Sequence, residues 1–135
     1  MALIVSNGGR RALLNRVLPY LGGLSLRLYV NAVVLGPGLD NSAFTEATFP
    51  GYRAQLLRGW PNPYLNPQGN AESDYRRLAW TVTSTAGADQ VQGYWFTDAD
   101  GNWIVAEALP GGPVRMSVMG DTLSVSPRFL SGPLC

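Results

Sequence analysis

Between Gln90 and Phe129 the chain alternates short runs of period-two hydrophobicity with tight-turn signals, a pattern that points to antiparallel β structure. Val91, Gly93 and Trp95 alternate with Gln92, Tyr94 and Phe96, and Asp98-Ala99-Asp100-Gly101-Asn102 then turns the chain. Asp-Gly at such a place is a strong hairpin signal. Trp103 to Leu109 runs back, Pro110-Gly111-Gly112-Pro113 turns again, and Val114 to Val118 and Thr122 to Ser126 follow, split at Gly120-Asp121.

The first half is more mixed. Leu14, Val17 and Leu18 fall at helical spacing, with Arg10, Arg11 and Asn15 elsewhere on the wheel, and Pro19 and Gly22-Gly23 end the run. So short a helix is marginal alone in water and must dock on its own domain or on another chain. Leu24 to Asn31 reads as a strand with Leu24, Leu26, Leu28 and Val30 on one face. A long connection, Val33 to Ala47, leads to a candidate strand at Tyr52 to Arg58, and another spans Arg76 to Thr85 with Leu78, Trp80 and Val82 on one face. Between them, Pro61, Pro63 and Pro67 remove backbone donors and forbid a central strand. Trp60, Tyr64 and Leu65 make that segment an apolar loop, either packed over its own sheet or reaching out as a contact arm.

Seven or eight short strands with no βαβ alternation predict an all-β fold, an antiparallel β-sandwich with a short N-terminal α-helix. Jelly-roll and immunoglobulin-like strand orders both remain open. The expected organisation is an N-terminal arm and helix over 1–23, a β domain over 24–130 and a flexible tail over 131–135. At 135 residues a single core suffices without a disulfide or metal staple.

The side-chain inventory argues against an enzyme. The chain has no His, which removes the commonest general base and metal ligand together. Its one cysteine is Cys135, either an inert end or a thiol that pairs between chains. No Ser lies in a Gly-x-Ser-x-Gly elbow, and Gly111-Gly112 lacks the lysine of a phosphate loop. Asp98 to Asn102 misses the calcium-loop spacing, because Trp103 stands where the sixth-position Gly belongs. Glu46 and Glu107 are the acids set among apolar residues, and Glu107 is expected to meet an Arg or a loop amide. No cofactor and no metal is expected.

Charged residues make up only 14% of the chain against 46% hydrophobic, and the formal net charge is +1. That balance argues against nucleic acid and anionic membrane as partners. No apolar run approaches the length of a membrane span, and the start lacks the pattern of a secretory signal. All ten basic residues are Arg, which suits interfaces but follows more simply from GC-rich coding. A weakly charged surface carrying Trp60, Trp80, Trp95 and Trp103 suits a protein that covers itself with partners.

Several segments, in order, resemble small virion structural proteins of tailed bacteriophages, the head decoration, cement and head-fibre proteins. They are Leu24-Ser25-Leu26-Arg27-Leu28-Tyr29-Val30-Asn31, Phe44-Thr45-Glu46-Ala47-Thr48-Phe49-Pro50-Gly51-Tyr52, Val91-Gln92-Gly93-Tyr94-Trp95-Phe96-Thr97, Val105-Ala106-Glu107, Gly112-Pro113-Val114 and Gly120-Asp121-Thr122-Leu123-Ser124-Val125-Ser126-Pro127. Pro61 to Asn70 and Ser131 to Cys135 depart from the family pattern. The resemblance implies a β domain on a capsid exterior or tail-associated structure, with host cytoplasm as its place during assembly. It also implies a trimer or other symmetric homo-oligomer, with the major capsid protein as partner.

Together these readings predict a non-enzymatic virion protein that cements the capsid by bridging major capsid subunits. Arg10, Arg11, Leu14 and Val17 of the helix and Trp60, Tyr64 and Leu65 of the loop are the expected contact residues. The alternative is a head- or tail-fibre module that binds a receptor or glycan on the host surface through exposed aromatics.

Overall fold

The computed structural model describes residues 24–36, 38–58, 60–85 and 89–131. The expected helix, with Arg10, Arg11, Leu14 and Val17, lies outside them, as do Cys135 and most of the expected tail. The described residues form an all-β structure of several small antiparallel sheets, with one turn of 3-10 helix at Asn41–Ala43.

The strands are β1 (Leu24–Tyr29), β2 (Gln55–Leu57), β3 (Tyr64–Leu65), β4 (Ala71–Asp74), β5 (Leu78–Thr81), β6 (Asp89–Val91), β7 (Gly93–Thr97), β8 (Trp103–Ala108), β9 (Val114–Met116), β10 (Thr122–Val125) and β11 (Arg128–Ser131). The largest sheet has the order β2-β1-β7-β8. The remaining sheets are β11-β4-β3 and the pairs β10-β5 and β6-β9. By Cα proximity the chain gathers into two compact units: residues 24–57 with 79–124, and residues 58–78 with 125–131.

The first unit is built on β1. Leu24, Leu26 and Leu28 are buried, as their alternation predicts, while Ser25 and Arg27 stay half-exposed. Each fully buried leucine contributes about 1.5–3 kcal/mol of transfer free energy. Antiparallel pairing sets Leu26 opposite Phe96 and Arg27 opposite Trp95. On β7, Trp95 and Phe96 point to opposite faces and both are buried, so both faces of this strand are covered. The aromatic part of the core stacks Phe44 on Trp95, centroids 5.0 Å apart, with Tyr29 and Trp103 against Phe44.

The run expected as one strand from Val91 to Phe96 breaks at Gln92, and the cause is a change of partner. β6 pairs with β9, whereas β7 pairs with β1 and β8. Gln92 N–H donates to Tyr29 O and Gln92 O accepts from Leu109 N–H. The β7–β8 hairpin closes where Asp-Gly predicts it. Asp98 N–H donates to Asn102 O at 2.9 Å, the Asp98 carboxylate accepts the amides of Asp100 and Asn102, and Gly101 takes φ 85°.

In the second unit the segment expected as an apolar loop carries β3, an edge strand of only two residues between Pro63 and Pro67. Asn66 to Asn70 turns β3 into β4, the Asn66 side chain accepting the amides of Gln68 and Asn70. Trp60 packs on Tyr75 and Phe129, centroids 5.0 and 4.9 Å away, beside the fully buried Ala71. The strands β4 and β11 have no period-two apolar signal, and sequence reasoning missed both.

Candidate functional site

Two polar networks and a set of exposed apolar side chains are the features of these units that could act on something else.

The first network grows from β1. Alternation turns Arg27 to the half-exposed face, where the register brings Thr97 beside it. Arg27 Nε donates to Thr97 Oγ1 at 3.0 Å, and its Nη1 donates to both Glu46 oxygens at 3.1 and 3.0 Å. Glu46 is held there by its bridge to Tyr29. Tyr52 donates its hydroxyl proton to Glu46 Oε2 at 2.5 Å and accepts the Leu28 amide at 3.2 Å. Burial, and then the hydrogen bond to Glu46, raise the Tyr52 pKa far above that of a free tyrosine. This phenol therefore stays protonated at neutral pH.

A recess of about 240 Å³ opens beside this network, lined by Arg27, Asn41, Phe44, Glu46, Trp95, Thr97 and Gly101. Asn41 sits in the 3-10 turn, which Asp40 caps by accepting the Ser42 amide. Its Oδ1 accepts the Trp103 amide at 2.8 Å. A second, polar recess of about 440 Å³ lies at Gly51, Tyr52, Arg53, Gln55, Ala79, Trp80 and Thr81. Gln55 and Trp80 donate there to the Ala79 and Arg53 carbonyls, so side chains already occupy those acceptors.

The second network belongs to the other unit. The Tyr64 hydroxyl donates to Glu72 and lies 2.7 Å from an Asp74 carboxylate oxygen. Asn66 also donates to Glu72, and Arg128 Nη1 stands 3.6 Å from it. These partners, Tyr64 first, hold the Glu72 carboxyl below the usual range and let a buried strand carry an acid. Among the described residues Glu107 meets no Arg or loop amide; it accepts the Tyr94 hydroxyl and is exposed. Glu46 and Glu107 thus spend their carboxylates on different partners. Among the described residues no group of three or more Asp, Glu, His or Cys could hold a metal ion.

Of the expected contact residues, Trp60 is half-buried in its own core, with no partner for its indole N–H among the described residues. Tyr64 and Leu65 are exposed on the β3 edge. Further apolar side chains stand out that sequence reasoning did not single out. Val34 is 91% exposed, Met119 66% and Val118 55%, and Leu35, Leu56 and Ile104 are exposed as well. Val118 and Met119 sit on a turn held by the Asp121 carboxylate, which accepts the Ser117 and Val118 amides at 3.0 and 2.9 Å. Among the described residues no helix is long and apolar enough to cross a membrane.

Comparison with models of protein families, with curated proteins and with solved structures finds no match to this chain.

Proposed function

We propose that this chain is a non-enzymatic structural protein of a tailed-phage virion, which cements the capsid by adhering to major capsid subunits and to copies of itself. The observation that carries the reading is the group of large apolar side chains left in solvent, Val34, Val118 and Met119 above all, in a chain with so few charges. Isolated exposed apolar residues are ordinary on soluble proteins. Here they stand at a loop and a turn tip, places that reach a partner first. The polar networks favour the same reading, because their hydroxyls and carboxylates are engaged with one another. The likeness of the ordered segments to phage decoration proteins supplies the partner. The sandwich architecture belongs to this reading too, supported by the burial of both faces of β7.

Weak contacts repeated by symmetry add up to firm attachment, since each bound copy holds the next at high effective concentration. The test is to mix purified protein with undecorated shells of the major capsid protein and image the particles. Ordered extra density and a raised shell melting temperature are expected at micromolar protein. Bare shells at that concentration overturn the proposal.

A further inference from the structure

β8 closes the largest sheet on one side, so its outer edge has no neighbouring strand among the described residues. The ladder to β7 fixes which backbone groups that edge presents. Leu109 N–H donates to Gln92 O at 3.0 Å, one step beyond the Gly93–Ala108 pair and in the same register. Antiparallel pairs alternate between hydrogen-bonded and non-hydrogen-bonded, so Glu107 and Val105 turn their N–H and C=O toward β7. Ala106 and Ala108 turn theirs away from it, and these groups have no other partner among the described residues. The open stretch is bounded at both ends. Asn41 Oδ1 takes the Trp103 amide, the pairing with β7 skips Ile104, and the Leu109 amide is spent on Gln92. What is left is Ile104 to Ala108, with Ile104, Glu107 and Ala108 exposed.

Natural sheets blunt such an edge with Lys, Pro or inward-pointing charges. Ile104-Val105-Ala106-Glu107-Ala108 has no Lys, Arg or Pro, and its one carboxylate already accepts the Tyr94 hydroxyl. A second copy of the same strand fits this stretch in one antiparallel register. With Ala106 opposite Ala106 of the second copy, outward backbone groups meet outward groups, and that central pair exchanges both of its hydrogen bonds. Val105 then stands opposite Glu107 of the second copy, and the exposed Ile104 opposite the exposed Ala108. A register centred on Glu107 sets two like charges face to face, which destabilises a sheet pair. One centred on Val105 runs Ala108 into the turn that Asp98 and Asn102 close. We propose that two copies of this chain pair antiparallel through their β8 edges, centred on Ala106, and join their four-stranded sheets into one. This pairing rests on the reading above, in which copies adhere to one another, and gives that adhesion a surface. A twofold contact of this kind uses up both edges and so closes at two copies.

The test is sedimentation equilibrium of the full chain up to about 1 mM, with backbone amide hydrogen exchange followed in dilute and in concentrated protein. So short a ladder belongs to the weak class of interfaces, and a dimer with Kd of about 0.1–1 mM is expected. The Ala106 amide should exchange freely in dilute protein and gain about tenfold protection in concentrated protein, while the Val105 and Glu107 amides stay protected in both. Ala108→Pro removes an outward N–H and no bond to β7, so it should weaken the dimer about tenfold and leave the urea midpoint of the dilute protein in place. A chain that stays monomeric at the top concentration, a dimer whose Ala106 amide exchanges as it does in dilute protein, or a folded Ala108→Pro chain that dimerises undiminished each overturns the proposal. The exchange readout uses the unaltered chain, so it decides the matter whether or not Ala108→Pro folds. No capsid shell enters these measurements. A monomeric chain that still coats shells sinks the dimer alone, and a dimer that leaves shells bare sinks the cementing role alone.

Discussion

Gly93 shows how little slack single positions in this molecule have. A Cβ there would run into the Glu107 carbonyl and the Tyr29 ring, one of them backbone and the other fully buried. Gly93→Ala should therefore cost about 2–3 kcal/mol, measured by urea unfolding, because neither neighbour can swing away. Tyr52 governs a different property. Its pKa is raised in the fold, so the folded chain keeps a proton that the unfolded chain releases near pH 10. The associated stability is complete below that pH and is lost as pH rises above it. Melting temperature should fall on the alkaline side of pH 10, and less steeply in Tyr52→Phe; equal slopes for the two proteins would contradict the assignment. Asp121 acts with the opposite sign. The Ser117 and Val118 amides lower its pKa, so its contribution is present above about pH 4 and fades as acid protonates the carboxylate. Asp121→Ala should flatten the acid limb of the stability profile, followed as melting temperature against pH.

The β7–β8 hairpin shows what a strand pattern can and cannot deliver. Asp98 and Gly101 announce the turn, and the structure uses both as their chemistry predicts, one as an amide acceptor and the other at positive φ. Gly101→Val places a β-branched residue at φ 85° and should cost about 1–2 kcal/mol in urea unfolding. The alternation on β1 and β5 was equally legible, since Leu26, Leu28, Trp80 and Val82 are buried where period two puts them. β4 was not. Its Ala-Glu-Ser-Asp run has no apolar alternation, yet Ala71, Glu72 and Ser73 are all buried. What holds it is distant in sequence or hidden in hydrogen bonds: Tyr64 and Asn66 on Glu72, and the Ser73 hydroxyl donating to Pro61 O at 2.6 Å. The Arg27–Glu46 pair was hidden for the same reason. Arg27 read as an outward residue and Glu46 as an acid among apolar neighbours; only the tertiary fold brings the two together.

Across the molecule, few charges and exposed apolar tips make adhesion the property to test. Val118→Ser with Met119→Gln should reduce binding to capsid shells by about tenfold or more. It should leave the thermal midpoint of the isolated protein almost unchanged, because substitutions at exposed sites stay within about 0.5 kcal/mol. An unaltered shell affinity would move the contact surface elsewhere. The strand order carries one more consequence. β1 lies between β2 and β7, and Arg27 meets Thr97 across 70 residues of chain. On the ribosome, the leucines of β1 emerge long before β7, the strand that pairs with β1, is synthesised. Until Thr97 clears the exit tunnel they remain open to chaperones and to the same strand of neighbouring nascent chains. Translation speed through the intervening stretch should therefore affect the soluble yield of this protein.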